Sequence, residues 1–518
     1  MRRFNVTGLC TPEEDYMVDI SEKIEQIKQL IDRRCYFTIN RARQYGKTTT
    51  LNTLRRTLPA EYMCINLSFE GVGPTMFSNA QSFCRRFLWQ LDMAAKNGPD
   101  ETIEWRNDEV TDFDELNVHL AQICAGRKIV LMIDEVDKAG NYEIFLYFLA
   151  MLRDMFNARK LGTGAAFHSV ILAGVYDIKN IKSKMMSEGM YIPAETEDKK
   201  EGSPWNIAAD FEVDMLFSPA EIATMLKEYE SDHNTGMDII EISEEIYKYT
   251  SGYPFLVSRV CHRIDNKLDK EWTAAGVRNA VKTILNESNT LFDDVFKNLE
   301  NNKSLSYYIY ELLILGKMKS FVRYDSVVSI GVRYGFFINV NGRVIISNKI
   351  FELLMTDYFM EKDLRDAKQI VGVLQYDVVR GDRFDMELCL RKFAEYYGEL
   401  YNKEALEFLE RHGRLLFLSY LKPLINGQGF YHIESQFTDL RRMDIAVDFG
   451  RQQFIVELKL WKGEKAEMQA YEQLLGYMDT KKSDTGYLVI FDFRSNKNKQ
   501  RKSEWIDVNG KKIFEVII

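Results

Sequence analysis

The first 235 residues alternate short apolar runs with segments of helical periodicity, and this alternation restricts the possible folds more than any other feature. The runs are rich in β-branched and aromatic residues and lie at Tyr36–Asn40, Tyr62–Phe69, Lys128–Asp134, Ser169–Val175 and Val213–Phe217. Helix-period segments separate them. Strands that are apolar on both faces are typical of parallel sheets covered on both sides by helices. The alternation therefore predicts a parallel α/β domain over residues 1–235.

The composition is that of a globular chain with several domains. The 518 residues are 46% hydrophobic and 28% charged, which is typical of folded domains. At roughly 100–200 residues per domain, the length predicts about three domains. The net charge of −9 excludes a generally basic nucleic-acid binder, so any contact with nucleic acid needs a local positive patch.

The cysteines and the amino-terminal sequence predict a cytoplasmic protein. Seven cysteines are present and none forms a CxxC pair, so a zinc site or a disulfide framework is not expected. The first fifteen residues lack the apolar stretch of a signal peptide. No apolar run approaches the length of a membrane span. We therefore expect reduced thiols and no contact with a membrane.

The segment Arg41–Leu51 follows a predicted strand and opens a predicted helix, as a phosphate-binding loop does. Lys47 is predicted to reach the β- and γ-phosphates of ATP, Thr48 to ligate Mg²⁺, and Gly46 to permit close approach of the backbone. Arg41 stands where such loops usually have glycine, so an ordinary strand-to-helix turn is the alternative. The residues predicted to contact the nucleotide are Arg43, Gln44, Tyr45, Gly46, Lys47, Thr48 and Thr49.

Two adjacent acids end the apolar strand Lys128–Asp134, and they support the phosphate-loop interpretation. Asp134 is predicted to hold Mg²⁺, and Glu135 to orient or deprotonate the attacking water. Solvated acids at a strand end are the alternative. The strand after them ends near Tyr176 and Asp177, either of which can sense the γ-phosphate. Arg153 and Arg159, on the intervening helix, are candidates for an arginine finger.

The stretch Tyr36–Leu54 resembles the RPRRFGKS loop of bacterial AAA-ATPase-like proteins, in which arginine replaces the first glycine. That family has proline next, where this chain has Ala42. The segments Ser203–Ile207 and Ser251–Leu256 also resemble the family. The resemblance covers about residues 1–285 and implies an ATPase core at 1–235 with a helical lid at 236–285. It also implies a carboxyl-terminal nuclease-like domain of the PD-(D/E)XK type.

Residues 286–365 predict a winged-helix-like module. A helical pattern at Leu305–Leu315 precedes a predicted hairpin at Gly335–Ile346, whose Asn341-Gly342 pair is a strong turn signal. Such a module can bind DNA through a recognition helix, or it can connect the ATPase to the next domain. The helix Ser306–Leu315 has no Lys or Arg, which disfavours direct DNA contact.

Residues 366–518 are predicted to form a second α/β domain that carries a carboxylate–lysine cluster. Three strands are predicted at Phe430–Phe437, Arg442–Phe449 and Gln453–Leu460, followed by a helix at about 464–480 and a last strand at Gly486–Phe493. Antiparallel pairing of the second and third strands would bring Asp444, Glu457 and Lys459 together. The carboxylates can hold divalent ions, and the lysine can stabilise an oxyanion.

The pattern Asp444, Glu457-x-Lys459 and Gln473 resembles the PD-(D/E)XK nuclease core over about residues 400–494. The resemblance implies that Asp444 and Glu457 bind Mg²⁺ or Mn²⁺, that Lys459 and Gln473 position the water, and that a further glutamate contributes. Glu434 is the favoured candidate for that glutamate, as a third metal ligand, and Glu410 is the alternative. Met443 replaces the proline of the family's name.

Together, these features predict a multidomain α/β protein: a P-loop ATPase parallel sheet with a helical lid, a winged-helix-like connector, and a PD-(D/E)XK nuclease-like domain. The predicted cofactors are ATP and Mg²⁺, with nucleic acid as a partner and a homo-oligomer possible. The main alternative is an ATP-driven switch or interaction protein whose nuclease-like domain binds without cleaving. A DNA-binding regulator that acts through the winged helix is the third hypothesis.

Overall fold

The computed structural model describes residues 2–95, 103–106, 108–139, 142–175, 205–314, 317–366, 378–381, 383–400, 417–418, 420–422, 424–425, 429–434, 444–450, 452–461, 463–492 and 502–518. The chain divides into two compact units. The first unit comprises Met1–Asp294, Ser329–Ile338 and Ser347–Lys349, and the second comprises Val295–Val328, Asn339–Ile346 and Ile350–Ile518. Each unit is described by itself.

A four-stranded parallel sheet forms the centre of the first unit, as the alternation of strands and helices predicted. Its strands are β1 (Tyr36–Asn40), β2 (Tyr62–Ser68), β3 (Lys128–Asp134) and β4 (Ser169–Gly174), in the order β1-β4-β3-β2. All the carboxyl ends of parallel strands lie at one edge of the sheet, where ligands of open α/β folds bind. The loops after β1 and β3 therefore meet at that edge.

Helices cover both faces of this sheet, because its strands are apolar on both sides. These helices are α1 (Ser21–Asp32), α2 (Lys47–Thr57), α3 (Ala80–Ala95), α4 (Phe113–Cys124) and α5 (Glu143–Leu161), with a short 3-10 helix at Pro74–Phe77. One core joins α3, α4 and α5 to residues such as Ile65 and Leu131. The other joins α1 and α2 to residues such as Phe37 and Met132. Both cores together confirm the predicted doubly covered sheet.

The predicted strand at Val213–Phe217 is wrong. These residues have no regular secondary structure, although Val213 and Met215 are buried. The Arg41 guanidinium donates a hydrogen bond to the Val213 carbonyl (3.0 Å), so a side chain takes the place of a strand partner. An isolated parallel bridge between Phe37 and Ala209 is the contact that extends the edge of the sheet.

Four helices follow the sheet in the first unit. They are α6 (Pro219–His233), α7 (Ile239–Thr250), α8 (Pro254–Lys267) and α9 (Ala274–Leu285). The break between α7 and α8 falls at Ser251–Tyr253, where the sequence predicted one. Ser251 has a positive φ of 46° at the end of α7, and Pro254 begins α8. Proline favours the first turn of a helix because it has no N–H to leave unpaired.

Residues 286–366 contribute to both units. They contain α10 (Thr290–Asn301), α11 (Lys303–Leu313), α12 (Ser326–Arg333), a hairpin of β5 (Phe337–Val340) and β6 (Arg343–Ile346), and α13 (Lys349–Asp366). The hairpin forms at the predicted turn, where Asn341 and Gly342 have φ of 51° and 79°. Positive φ at both central residues is what a two-residue turn requires. The division into four domains remains a prediction.

The second unit contains a six-stranded mixed sheet in the order β13-β14-β12-β11-β10-β9. Its strands are β9 (Gly429–Glu434), β10 (Asp444–Phe449), β11 (Gln452–Leu460), β12 (Thr485–Phe491), β13 (Lys502–Val508) and β14 (Lys511–Ile517). Two short strands, β7 (Val379–Arg380) and β8 (Arg383–Phe384), pair separately. Among the described residues, helices of this part of the chain include α14 (Met386–Leu400) and α15 (Glu464–Thr480).

The strand that ends at Phe491 is not the last one, contrary to the prediction from sequence. The strand β14 pairs with β12 in parallel, and β13 pairs with β14 in antiparallel fashion. The pattern of β13 is largely polar and exposed, as suits an edge strand, so hydrophobic periodicity gave no signal for it. The helix α15 packs on β11 and β12, burying Ile455, Leu474 and Leu488.

No helix in the described part of the chain is long and apolar enough to cross a membrane. All seven cysteines are free thiols in this structure.

Candidate functional site

The predicted phosphate loop lies between β1 and α2, at the carboxyl edge of the parallel sheet. Gly46 precedes the first residue of α2 with a positive φ of 76°, a backbone conformation that glycine adopts without strain. The Lys47 side chain is 6% exposed and its ammonium donates to the carbonyls of Arg41 (3.0 Å) and Ala42 (2.8 Å). The loop therefore wraps around a buried cation, next to the free N–H groups of a helix amino terminus.

The two predicted acids lie opposite this loop, at the end of β3. The Thr48 hydroxyl donates to the Asp134 carboxylate at 2.5 Å, which joins the two predicted magnesium ligands. Asp134 is 4% exposed, and its other oxygen accepts from the Glu135 N–H at 2.9 Å. Glu135 has a positive φ of 53°. Non-glycine residues with this backbone cluster at functional sites.

Burial and charge shift the acid–base behaviour of both groups. Burial lowers the pKa of the Lys47 ammonium, and the carboxylates of Glu135 and Asp134 oppose this shift. Burial raises the pKa of the Glu135 carboxyl, and the neighbouring Asp134 charge raises it further, whereas Lys47 lowers it. A carboxyl with a raised pKa accepts a proton more readily, which is the property a general base needs.

Residues of the helical segment after the sheet hold the phosphate loop from its outer side. The Tyr253 hydroxyl donates to the Arg43 carbonyl, and the Tyr253 ring meets the Tyr45 ring edge to face at 4.7 Å. Tyr253 is buried. The break between α7 and α8 therefore places an aromatic side chain directly against the loop, a contact between residues 210 positions apart.

Two side chains of the phosphate loop bond to the start of α10. Arg43 forms an ion pair with Asp294 (3.0 Å), and the Gln44 amide donates to the Thr290 hydroxyl (2.9 Å). Both partners lie at the start of α10. These bonds anchor the loop to α10. Contact of Arg43 and Gln44 with the nucleotide remains a prediction.

Gly335 also packs closely against the phosphate loop, beside Ala42 and Tyr45. Its φ is +75°, and a Cβ at this position would lie 2.9 Å from the Cβ of Ala42 and 3.6 Å from the Tyr45 ring. Its carbonyl accepts from the Ser347 hydroxyl at 2.6 Å. Only glycine combines this backbone with so close an approach. The wall of the loop is thus completed by a residue far along the chain.

A cavity of about 140 Å³ opens beside Gly46 and Thr49. Apolar side chains such as Met215, Phe217 and Pro254 form much of its wall, and polar groups are contributed by residues that include Asn5 and Thr7. A mostly apolar cavity with a few polar groups is typical of a site for a planar organic group. It adjoins the amino end of α2, where the phosphate loop ends.

The second predicted site lies on the mixed sheet of the second unit. Strands β9 and β10 pair with Glu434 opposite Asp444, and β10 and β11 pair with Ile445 opposite Val456. The latter register, extended by one residue, places Asp444 opposite Glu457. Backbone positions 434, 444 and 457 are therefore cross-strand neighbours on three adjacent strands. The side chains of Glu434 and Asp444 lie outside the described part of the chain, and so does Glu410.

Glu457, Lys459 and Gln473 are in contact with one another through the Lys459 ammonium. Glu457 is fully buried and forms an ion pair with Lys459, whose ammonium also donates to the Gln473 side chain on α15. Residues two apart on β11 share one sheet face, and α15 covers that face. Among the described residues, no group of three or more His, Cys, Asp and Glu side chains is arranged to hold a metal ion.

Sequence reasoning missed two further acids. Asp137 accepts a hydrogen bond from the Val175 N–H (2.5 Å) and so ties the loop after β3 to the end of β4. Glu515 is 1% exposed on β14 and bonds to the Tyr471 hydroxyl. The acids Asp134, Glu135 and Asp137 within four residues were a signal for the first. Glu515 was missed because the strand that carries it, β14, was not predicted.

The structure places the arginine-finger candidate Arg159 but not the candidates for the γ-phosphate sensor. Tyr176 and Asp177 lie outside the described residues. Arg159 donates to the carbonyls of His168 (2.9 Å) and Arg34 (2.8 Å), at the amino end of the sheet. That edge is opposite the phosphate loop, so within one chain Arg159 stabilises the sheet and does not reach the nucleotide.

Comparison with known proteins supports the first site. Residues 42–181 match the family described as the AAA domain. The match includes Gly46, Lys47, Asp134 and Glu135, whose geometry is given above. The match supports an AAA-type P-loop ATPase domain in this part of the chain, with ATP as the nucleotide it binds. A comparison with curated proteins found no match.

Several solved structures are similar at low sequence identity. The Walker-type ATPase of Pyrococcus abyssi is 12% identical with a TM-score of 0.47, over 68% of this chain and 99% of that one. The ORC2 protein of Aeropyrum pernix, in ADPNP–ADP complexes, is 10% identical with a TM-score of 0.36, over 69% and 98%. Drosophila ORC bound to DNA is 10% identical with a TM-score of 0.30, over 65% and 94%.

Proposed function

We propose that this protein couples ATP hydrolysis in its first unit to a metal-dependent nuclease-like domain of the PD-(D/E)XK type in its second unit. The observation that carries the nuclease part is the row of cross-strand positions 434, 444 and 457, with Lys459 and Gln473 beside Glu457. Three acidic residues on adjacent strands next to a lysine are suited to the hydrolysis of phosphodiesters.

At the ATP site, each residue has a distinct role in this proposal. The Lys47 ammonium leaves the carbonyls of Arg41 and Ala42 to neutralise the β- and γ-phosphates. The N–H groups at the start of α2 bind phosphate oxygens. Glu135 accepts a proton from the attacking water, for which its raised pKa is suited. The cavity beside Gly46 and Thr49 receives the base.

Thr48 and Asp134 fit a magnesium ion. A hydroxyl and a buried carboxylate lie 2.5 Å apart, and oxygen ligands are those that Mg²⁺ prefers. When bound, Mg²⁺ would supply charge neutralisation of the phosphates. In the second unit, Asp444 and Glu457, with Glu434 as a third ligand, would hold Mg²⁺ or Mn²⁺, which would supply an activated water.

Lys459 and Gln473 position the water and the scissile phosphate in the nuclease proposal. The lysine ammonium bridges Glu457 and the Gln473 amide, so one cation is fixed by two elements. A cation fixed before the reaction stabilises developing negative charge without reorganisation. The substrate class is a nucleic-acid phosphodiester.

A second candidate function follows from the burial of Glu457. This carboxylate is fully buried and paired with Lys459, and such a pair can be a structural element of a domain that binds without cleaving. The protein would then be an ATP-driven switch. The domain boundaries at 1–235, 236–285, 286–365 and 366–518, the connector role of the third segment and a homo-oligomeric state belong to the proposal as well.

Steady-state ATP turnover tests the first part of the proposal. Lys47→Ala should lower turnover roughly 100- to 1,000-fold, the usual effect of removing one preorganised group that stabilises the transition state. Lys227→Ala, an exposed lysine on α6, is the matched control and should leave turnover unchanged. Equal turnover in both variants would refute the phosphate-loop assignment.

Cleavage of a mixed panel tests the second part. Plasmid, linear and single-stranded DNA and RNA are incubated with Mg²⁺ or Mn²⁺, with and without ATP. Glu457→Gln should abolish cleavage, and Glu472→Gln, an exposed neighbour on α15, should not. Absence of cleavage by the unchanged protein, with ATP turnover intact, would favour the switch.

A further inference from the structure

A second cavity lies in the first unit, apart from the phosphate loop. Its volume is about 660 Å³, several times that of the cavity beside Gly46. It is formed by the 3-10 helix Pro74–Phe77, the middle of α3 and the segment before α4. Side chains that line it include Thr75, Ser82, Arg85, Arg86, Trp89 and Arg106.

The lining is strongly basic in a chain whose net charge is −9. Arg85, Arg86 and Arg106 are all exposed, and among the described lining residues the carboxylate is that of Asp108. Arg106 is fixed by an ion pair with Asp92 at 2.7 Å. Asp92 offsets much of the charge of Arg106, so Arg85 and Arg86 contribute most of the local positive field, which is of the kind that attracts phosphates.

The cavity also offers flat surfaces. The Arg86 guanidinium lies 4.0 Å from the centroid of the Trp89 ring, which forms a cation–π pair. Trp89 is half-buried, so its position is fixed while part of its surface stays open. Nucleobases stack on indole rings and on guanidinium planes alike.

We propose that this cavity binds single-stranded nucleic acid, with Arg85 and Arg106 on its phosphates and one base on the Trp89–Arg86 pair. Cations that follow the backbone and an aromatic platform for a base are the two features of single-strand binding sites. Stacking needs an unpaired base, so a duplex fits less well. The site is distinct from the proposed nuclease residues and does not depend on cleavage.

The cavity is connected to the ATP site through the end of β2. The Gln90 amide, next to Trp89, donates to the Ser68 carbonyl at 3.3 Å. Ser68 is the strand partner of Asp134, and the Phe69 N–H donates to the Asp134 carbonyl at 3.0 Å. Nucleic acid bound in the cavity would therefore contact α3, the helix whose Gln90 bonds to the end of the sheet that carries Asp134. We expect such binding to change the rate of ATP turnover.

Fluorescence anisotropy of a labelled 15-nucleotide oligothymidylate, with the full chain and EDTA to prevent cleavage, tests the proposal. Arg85→Glu should weaken binding about tenfold or more, the effect of losing one charged hydrogen bond. Arg55→Glu is the matched control, because it makes the same charge change at an exposed position on α2. Trp89→Ala should weaken binding at least about fivefold, the lower end of the range for base stacking.

Equal affinity of the Arg85→Glu and Arg55→Glu proteins would overturn the site, because binding would then depend only on overall charge or on the second unit. Loss in Arg85→Glu with no loss in Trp89→Ala would also overturn it, because it would indicate an anion site without a base. A blunt duplex that binds more tightly than the single strand would do the same. Circular dichroism of each variant verifies that it is folded.

Discussion

The two candidate sites each combine a lysine that is mostly buried with a buried carboxylate, Asp134 or Glu457, but the lysines have different partners. In the first unit, the Lys47 ammonium donates to two backbone carbonyls of its own loop, and Asp134 bonds to Thr48. In the second unit, Lys459 pairs directly with Glu457. The lysine of the ATP site can thus exchange weakly held neutral partners for phosphates, whereas Lys459 neutralises a charge that would otherwise be buried alone.

This difference indicates at which site the lysine contributes to the folding stability of the protein. A buried carboxylate that loses its cation is costly, whereas a carbonyl that loses one donor is less so. Removing Lys47 should therefore affect mainly activity, and removing Lys459 should affect folding as well.

Glu135→Gln should have the largest effect on the ATP site and none on the second unit. Loss of a general base lowers turnover roughly 100- to 10,000-fold, while binding of ATP should persist because the amide keeps the shape. In the unchanged protein, the raised pKa of Glu135 means that turnover, which needs the charged carboxylate, is lost on acidification at a pH above the ordinary glutamate pKa of about 4.3. A pH–rate profile measures this, and an acidic limb below that value would contradict the assignment.

Lys459→Met should destabilise the second unit by about 3–5 kcal/mol, the usual result of removing one partner of a buried ion pair. Urea unfolding followed by circular dichroism measures it. Lys465→Met, an exposed lysine on α15, is the control. The double variant Glu457→Gln with Lys459→Met should recover much of the loss, because no charge then remains buried. No recovery would show that Lys459 acts by packing alone.

Gly335→Ala tests how closely the phosphate loop is enclosed. Both Gly335 and Gly342 have positive φ, but an added Cβ at 342 meets nothing within 4 Å, whereas at 335 it approaches Ala42 to 2.9 Å. Gly342→Ala therefore has the backbone cost alone, about 1 kcal/mol, and Gly335→Ala should cost more and also raise KM for ATP. Equal thermal shifts and equal KM values in the two variants would contradict the contact.

Tyr253→Phe should have the smallest effect. It removes one hydrogen bond to the Arg43 carbonyl and keeps the ring against Tyr45, so we expect a loss of about 1 kcal/mol. Thermal unfolding with and without ATP measures it, with Tyr247→Phe as an exposed control. A larger gain in stability from ATP in the unchanged protein than in Tyr253→Phe would indicate that the tyrosine shapes the loop for the nucleotide.

The sequence predicted the parts of these sites that are local. The strand ending at Asp134, the helix beginning at Lys47 and the turn at Asn341 follow from hydrophobic periodicity and from residue types with known backbone preferences. The shared sheet face of Glu457 and Lys459 followed from the two-residue repeat of a strand. The bond from Lys459 to Gln473 on the covering helix was not predicted.

The parts that were missed depend on contacts between distant segments. Nothing near Tyr253 in sequence shows that its hydroxyl reaches Arg43, and nothing near Gly335 shows that it meets Ala42. The strand β13 was missed because its sequence is largely polar. It lies at the edge of the sheet, with a partner strand on one side only. The arginine-lined cavity arises from two helical segments and a loop, which no periodicity relates.

The contact between Gly335 and Ala42 has a consequence for the order in which the chain folds. On a ribosome, the phosphate loop emerges nearly 300 residues before the glycine that encloses it. Closing so long a loop carries an entropic cost before its contacts form, and contacts of large sequence separation slow folding. All four strands of the parallel sheet precede residue 175, so the sheet can form before its phosphate loop is enclosed. We therefore expect the full affinity for nucleotide to develop only after the segment that contains Gly335 has been synthesised.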